Sequence, residues 1–270
     1  MKSAWPRHSW RARCWKRKLV AIVGEALCLL LAGDAVGDFW LQSDDLASKK
    51  DRSSAAMLRH GAIYAAAMAV AAALVAIGLR CDPWAALVAW AGLGLAHALI
   101  DGIARPVLKR LCPGDLRRFL LDQALHLICC VLAALYLAPR SAVGLTPYWS
   151  ETLAWAASLL LSGAPVCVLV KLVLGELREV AHDASNDTVR PGEPVNSGRV
   201  IGILERLLVC TLTLLGEFSA IAFVITAKSI ARYEKMKDDK VFAEIYLVGT
   251  LASVAGAIAV PLFVRWMVAL

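Results

Sequence analysis

Several features are missing from this 270-residue chain, and each absence closes a route. No stretch alternates apolar and polar residues in the manner of a half-buried strand, so neither a sheet protein nor a membrane-spanning barrel is written here. The eight cysteines contain no CxxC pair, which leaves no readable disulfide framework or zinc ribbon. Cys28, Cys129, Cys130, Cys167 and Cys210 instead fall in apolar runs, where a thiol acts as a small hydrophobe. GxSxG and HExxH are both absent, so the chain carries no ready-made nucleophile motif. The second half does not repeat the first, which disfavours a carrier built on internal repeats.

What is present is apolar. Hydrophobic residues make up 59% of the chain and the mean hydropathy is +0.63, against about 45–50% apolar in soluble domains. Long apolar stretches occupy 19–42, 61–80, 84–104, 119–138, 151–174, 200–227 and 243–268, each near the roughly 20 residues that cross a hydrocarbon core of about 30 Å. The pattern predicts an all-α, polytopic transmembrane helical bundle with about six to seven membrane helices. Four parts are expected: a tail over 1–18, a four-segment membrane bundle over 19–138, a fifth helix and polar linker over 139–199, and a C-terminal membrane helix pair over 200–270.

Charge is unevenly placed. Lys2, Arg7, Arg11, Arg13, Lys16, Arg17 and Lys18 meet no acid in residues 1–18, while the other 22 basic residues match the 22 acidic ones. Trp5, Trp10 and Trp15 are interleaved with them. Basic and aromatic residues together suit a nucleic-acid arm, but a hydrophobic segment follows at once. A membrane-surface anchor, with Trp at the headgroups and cations on anionic lipid, is therefore expected, and no nucleic acid. Glu25 interrupts the first apolar run, so that run is read as a retained segment and not as a signal peptide.

Aspartate and histidine stand inside these apolar helices at a repeated spacing. Asp34 and Asp38 are four apart, as are His97 and Asp101, and then Asp122 and His126; His60 opens the second segment. Residues four apart share a helix face, and an ionisable residue in a membrane helix is by default a functional-site candidate. Segments one and three end, and segments two and four begin, on one membrane side if each spans once, so all seven are expected near one mouth of the bundle. Loops 43–59 and 105–118 hold nine Lys or Arg, which makes that side cytoplasmic. The basic tail conflicts with this unless the first segment is re-entrant or lies on the surface. His182 and Asp183 are adjacent and sit in the polar connection 175–199, a solvated linker. Arg206, Lys228 and Arg232 are read as cations snorkelling to the interface, with an anionic headgroup as the competing reading.

The pieces LLLAGDAVGDFWLQS, HGAIY, HALID and LDQALH, over roughly residues 27–130, carry a resemblance to the bacterial membrane-protein family called domain of unknown function 3307. GRVIGILERLL, FVITAKSIARY and AEIYLVGTLAS resemble its longer members. The family pattern has a His where this chain has Asp34, so a carboxylate replaces an imidazole. That His/Asp pattern is similar to that of inner-membrane proteins proposed to be metal-dependent hydrolases, and the resemblance implies the same chemistry and a bacterial inner-membrane location.

The donor set suits one or two divalent ions (Zn, Mn or Fe). Asp34, Asp38, His60, His97, Asp101, Asp122 and His126 are the candidate ligands, with Asp38, His97 and Asp101 assigned to catalysis. The expected reaction is hydrolysis of a lipid-linked or membrane-proximal ester, phosphoester or amide, with membrane lipids as surroundings. The alternatives are a cation- or proton-coupled transporter using the same cluster, and a non-catalytic membrane scaffold.

Overall fold

A computed structural model describes residues 7–43, 46, 53–184 and 196–269. Among these every regular element is helical, and the sole extended pairing is an isolated bridge between Cys81 and Ser141. Helix α1 runs Arg7–Ala35 and continues as a π-helical turn, Val36–Trp40. Then come α2 (Ser54–Gly78) and α3 (Pro83–Leu99), with a second π turn at Ile100–Ala104 leading into α4 (Arg105–Leu111). The rest is α5 (Asp115–Leu137), α6 (Pro147–Ala184), α7 (Asn196–Leu215), α8 (Phe218–Ala231), α9 (Tyr233–Asp238) and α10 (Lys240–Ala269).

Six helical runs are long and apolar enough to cross a membrane: Trp15–Trp40, Ser54–Gly78, Pro83–Leu111, Asp115–Arg140, Pro147–Leu177 and Lys240–Ala269. Large apolar side chains such as Val70, Leu74, Ile77, Val88 and Leu95 point outward from them. A helix that is apolar all round but covered on one side only is one whose solvent is hydrocarbon. The all-α, polytopic membrane reading holds.

Local signals end the helices where they do. Ser53 accepts from the Ala56 amide and caps α2, and Asp82 accepts from the Trp84 amide just ahead of Pro83, the first residue of α3. The apolar run 200–227, expected as one segment, is broken in two. Gly216 takes φ +79, its amide donates to the Thr213 carbonyl, and the Glu217 amide donates back to Leu212. This is a glycine C-terminal cap, which stops α7 and turns the chain into the short α8. At the other predicted boundary, α6 carries on past residue 174 to Ala184, so the first part of the expected linker is helix; residues 185–195 lie outside the described residues. Residues 1–6 of the basic tail also lie outside them, and helix begins at Arg7.

The chain divides into two compact units. The first comprises Met1–Leu99, Leu125–Ala157 and Val264–Leu270. Its central helix is α1, with over half of its apolar window buried against a third or less for the other five. The run Trp15–Trp40 is one continuous helix, long and apolar enough to cross a membrane. Gly33 on α1 and Gly37 in the π turn that continues it, four residues apart, face α2: a Cβ on Gly33 would lie 2.7 Å from the Ala71 Cβ, and one on Gly37 3.1 Å from the Tyr64 Cα. Without side chains at these two positions the backbones approach closely, which is how membrane helices gain packing where lipid removes the hydrophobic drive. Gly24 does the same near the C-terminus, where a Cβ would come within 2.0 Å of the Met267 carbonyl oxygen. Glu25, the acid inside the first apolar run, is buried and satisfied, accepting from the Leu145 amide at 3.0 Å and the Ser150 hydroxyl at 2.6 Å.

The second unit comprises Ile100–Ala124 and Ser158–Phe263. Its apolar centre is Val209, Ile221 and Ala257, with Leu212, Ile225, Val254 and Ile258 packed around them.

The glycine contacts give a direct test by thermal unfolding in detergent. Gly24→Ala is expected to lose about 1–3 kcal/mol, because its methyl meets backbone. Gly92→Ala, which meets nothing within 4 Å, should be neutral or gain up to about 1 kcal/mol from helix propensity.

Candidate functional site

The α1–α2 contact positions the polar residues of the first unit. Asp34 and Asp38 each follow one of the paired glycines, so the face that lets the backbones approach presents a carboxylate beside each gap. The inward face of α2 carries His60, Tyr64, Ala67, Met68 and Ala71, and that of α3 ends in Leu93 and His97. α5 contributes His126. Asp34, Asp38, His60, His97 and His126 are all buried, with His60 only 1% exposed.

Three ligand atoms converge. His60 Nε2 lies 3.2 Å from Asp38 Oδ1 and 3.1 Å from His97 Nε2, and these three residues can each offer one donor within 4.8 Å of the others. One ring nitrogen has either one proton or one lone pair, so His60 Nε2 meets both neighbours only by splitting a single hydrogen between them. A cation among the three atoms removes that conflict. Bonds of about 2.0–2.2 Å in a tetrahedral site put ligand atoms roughly 3.3–3.5 Å apart, which these two separations approach. The buried His and Asp groups fit a divalent ion, and three protein ligands leave a coordination position open.

His126 is the second unusual group. Among the described residues neither of its ring nitrogens has a hydrogen-bond partner, although the residue is 3% exposed. Its Nδ1 points between two carboxylates, 3.8 Å from Asp34 Oδ1 and 3.9 Å from Asp38 Oδ2, beyond hydrogen-bond reach. Tyr64, which the sequence reading did not single out, ties these parts together. Its hydroxyl donates to Asp34 Oδ1 at 2.9 Å, and its ring stacks on His97 at 3.6 Å between centroids and 6° between planes.

Asp101 and Asp122, the other two predicted ligands, belong to the second unit. There Arg105 spans both, with Nη1 3.1 Å from Asp101 Oδ1 and Nη2 3.0 Å from Asp122 Oδ2. Gln123 adds a donor to Asp122 at 3.4 Å. Sequence reasoning placed Arg105 in a basic loop and missed this role. Tyr64 stands four residues after His60 and Arg105 four after Asp101, so the spacing rule that found the acids and histidines would have found both.

Each π turn holds one site carboxylate, Asp38 in Val36–Trp40 and Asp101 in Ile100–Ala104. Such turns are rare and concentrate at functional sites.

Residues 26–153 match the family model described as "Protein of unknown function (DUF3307)". The match upholds the resemblance over the segment that contains all seven candidate residues, and the pieces quoted from beyond residue 153 lie outside it. No curated protein matches the chain, and no solved structure does.

Two substitutions probe the arrangement through stability. Tyr64→Phe keeps the stack on His97 and removes the donor to Asp34, for an expected loss of about 1–3 kcal/mol. Arg105→Ala strips two buried carboxylates of their shared cation and should cost on the order of 3 kcal/mol. Adding Asp122→Asn to Arg105→Ala should restore part of that loss, as read by denaturant unfolding of the four proteins of the cycle.

Proposed function

We propose that this membrane protein holds a divalent cation between Asp38, His60 and His97 and hydrolyses an ester, phosphoester or amide of a lipid-linked or membrane-proximal substrate in the bacterial inner membrane. The observation that carries this reading is the convergence of Asp38 Oδ1 and His97 Nε2 on the single Nε2 of His60. A bound divalent ion would polarise the scissile carbonyl or phosphoryl group and acidify a water at neutral pH.

The chain's own residues supply the rest. Tyr64 fixes the plane of the His97 ring by stacking and holds Asp34 by its hydroxyl. His126 has the open nitrogens that a proton acceptor needs. An imidazolium formed there would sit between Asp34 and Asp38, whose charges stabilise it. Asp101 was assigned to catalysis from the sequence, but Arg105 already engages it, and in this proposal it takes no part in the step. Two imidazoles and one carboxylate, His60, His97 and Asp38, make a mixed donor set that suits Zn, Fe or Mn.

A second reading, cation- or proton-coupled transport, draws on the π turns. Carriers bind ions where membrane helices depart from regular α geometry, and Asp38 and Asp101 both occupy such departures.

Metal analysis and thermal unfolding of the chelator-stripped, detergent-solubilised protein separate these readings from a scaffold. At a hundredfold excess over its dissociation constant a bound ion stabilises by about 2.7 kcal/mol. Mn(II), Fe(II) or Zn(II) should give such a shift in wild type and none in His60→Ala or His97→Ala. Equal melting of wild type with and without every ion would sink both metal readings. Given binding, a lipid that accumulates in a deletion strain and is cleared by wild type but not by His97→Ala supports hydrolysis. Ion flux into proteoliposomes that is lost in Asp38→Asn supports transport instead.

A further inference from the structure

The second unit contains a buried cation that the proposed function does not use. Arg206 on α7 is 3% exposed, so it does not snorkel to an interface as the sequence reading expected. Its Nε donates to the Gly163 carbonyl and its Nη1 to the Ser253 hydroxyl, both at 3.3 Å. Among the described residues Nη2 has no hydrogen-bond partner. The guanidinium lies over Gly202, one turn back on the same helix, where a Cβ would come within 3.3 Å of Nη1.

None of these contacts neutralises the charge. Gly163 and Ser253 are uncharged acceptors, and Cys167, which also hydrogen-bonds the arginine side chain, is a thiol. Glu205, the acid whose charge acts on Arg206, is itself bound at 2.5 Å by Lys228 Nζ. Arg206, Glu205, Lys228, Thr250 and Ser253 line one small cavity of about 20 Å³, room for a single water-sized atom. Its charged lining is two cations and one carboxylate, one positive charge in excess. A buried arginine short of its counter-ion is costly unless an anion completes it, and the guanidinium fork suits phosphate oxygens.

We propose that Arg206, with Lys228, Thr250 and Ser253 around the same cavity, binds one anionic oxygen of a phosphate group, supplied by a phospholipid headgroup or by free phosphate. The excess of one positive charge matches a singly charged phosphodiester. Gly202 leaves room beside the guanidinium, where a Cβ would lie 3.3 Å from Nη1, and Lys228 competes with the arginine for Glu205. The site depends on no residue of the His/Asp cluster, so it stands or falls apart from the metal chemistry.

The test uses the full-length protein in detergent, delipidated, with two probes: phosphatidylglycerol, read as retained lipid by native mass spectrometry, and inorganic phosphate, read as a rise in melting temperature. Arg206→Gln removes the charge. Gly202→Ala leaves it in place, suits a helix, and crowds the guanidinium, so it carries the test if Arg206→Gln does not fold. Arg232→Gln, at an exposed cation, is the control. One lipid retained by wild type and Arg232→Gln, with at least tenfold less retained by Gly202→Ala and Arg206→Gln, assigns a lipid headgroup. Stabilisation by phosphate with the same pattern, and no difference in lipid retention, assigns free phosphate. If neither probe distinguishes wild type from Gly202→Ala, the proposal is overturned.

Discussion

Two helix backbones lie unusually close because Gly33 and Gly37 have no side chains, and the polar centre of the first unit inherits its geometry from that contact. With α1 and α2 held at this spacing, Asp34 falls within reach of the Tyr64 hydroxyl and Asp38 within reach of His60. A bulkier pair of residues would push the helices apart and leave both carboxylates in an apolar interior without those partners. The small residues on the facing side, Ala67 and Ala71, belong to the same device. In lipid, van der Waals packing of this kind replaces the hydrophobic effect as the force between helices, so packing and site are one feature.

Both units resolve the cost of interior polarity, with different completeness. Glu25 has the Leu145 amide from the loop after α5 and the Ser150 hydroxyl from the first turn of α6, and the carboxylates Asp101 and Asp122 share a guanidinium. Each of these acids has a donor, although Asp122 Oδ1 has no hydrogen-bond partner among the described residues. His126 and Arg206 are buried groups that also have nitrogen atoms left over. A buried polar atom without a partner is expensive, and the two proposals take the nitrogens of His126 and Arg206 as the places where a proton or a ligand acts.

Much of the architecture was legible because lipid imposes simple rules. Apolar runs of about 20 residues gave the spans, and four-residue spacing gave Asp34/Asp38, His97/Asp101 and Asp122/His126 as helix-face pairs. Three features were not read. The break at Gly216 lies in an unremarkably apolar stretch, and only the positive φ of that residue shows that its role is to end a helix. Tyr64 and Arg105 were passed over because the search favoured metal ligands, although partners obey the same spacing. The π turns at Val36–Trp40 and Ile100–Ala104 leave no composition signal. The two aspartates of the second unit show the remaining limit: spacing identified Asp101 and Asp122 as candidates, but not that Arg105 engages both carboxylates.

A π turn also sets phase. An α-helix advances about 100° per residue, and the one extra residue that a π turn accommodates rotates everything after it by that amount relative to an unbroken helix. Residues before Val36 and after Trp40, or before Ile100 and after Ala104, are therefore written in two different angular frames. A single helical wheel drawn through either junction mixes the frames and scatters residues that share a face. Removing one residue there would leave composition and hydropathy almost untouched while turning the downstream helix to show its neighbours a different side.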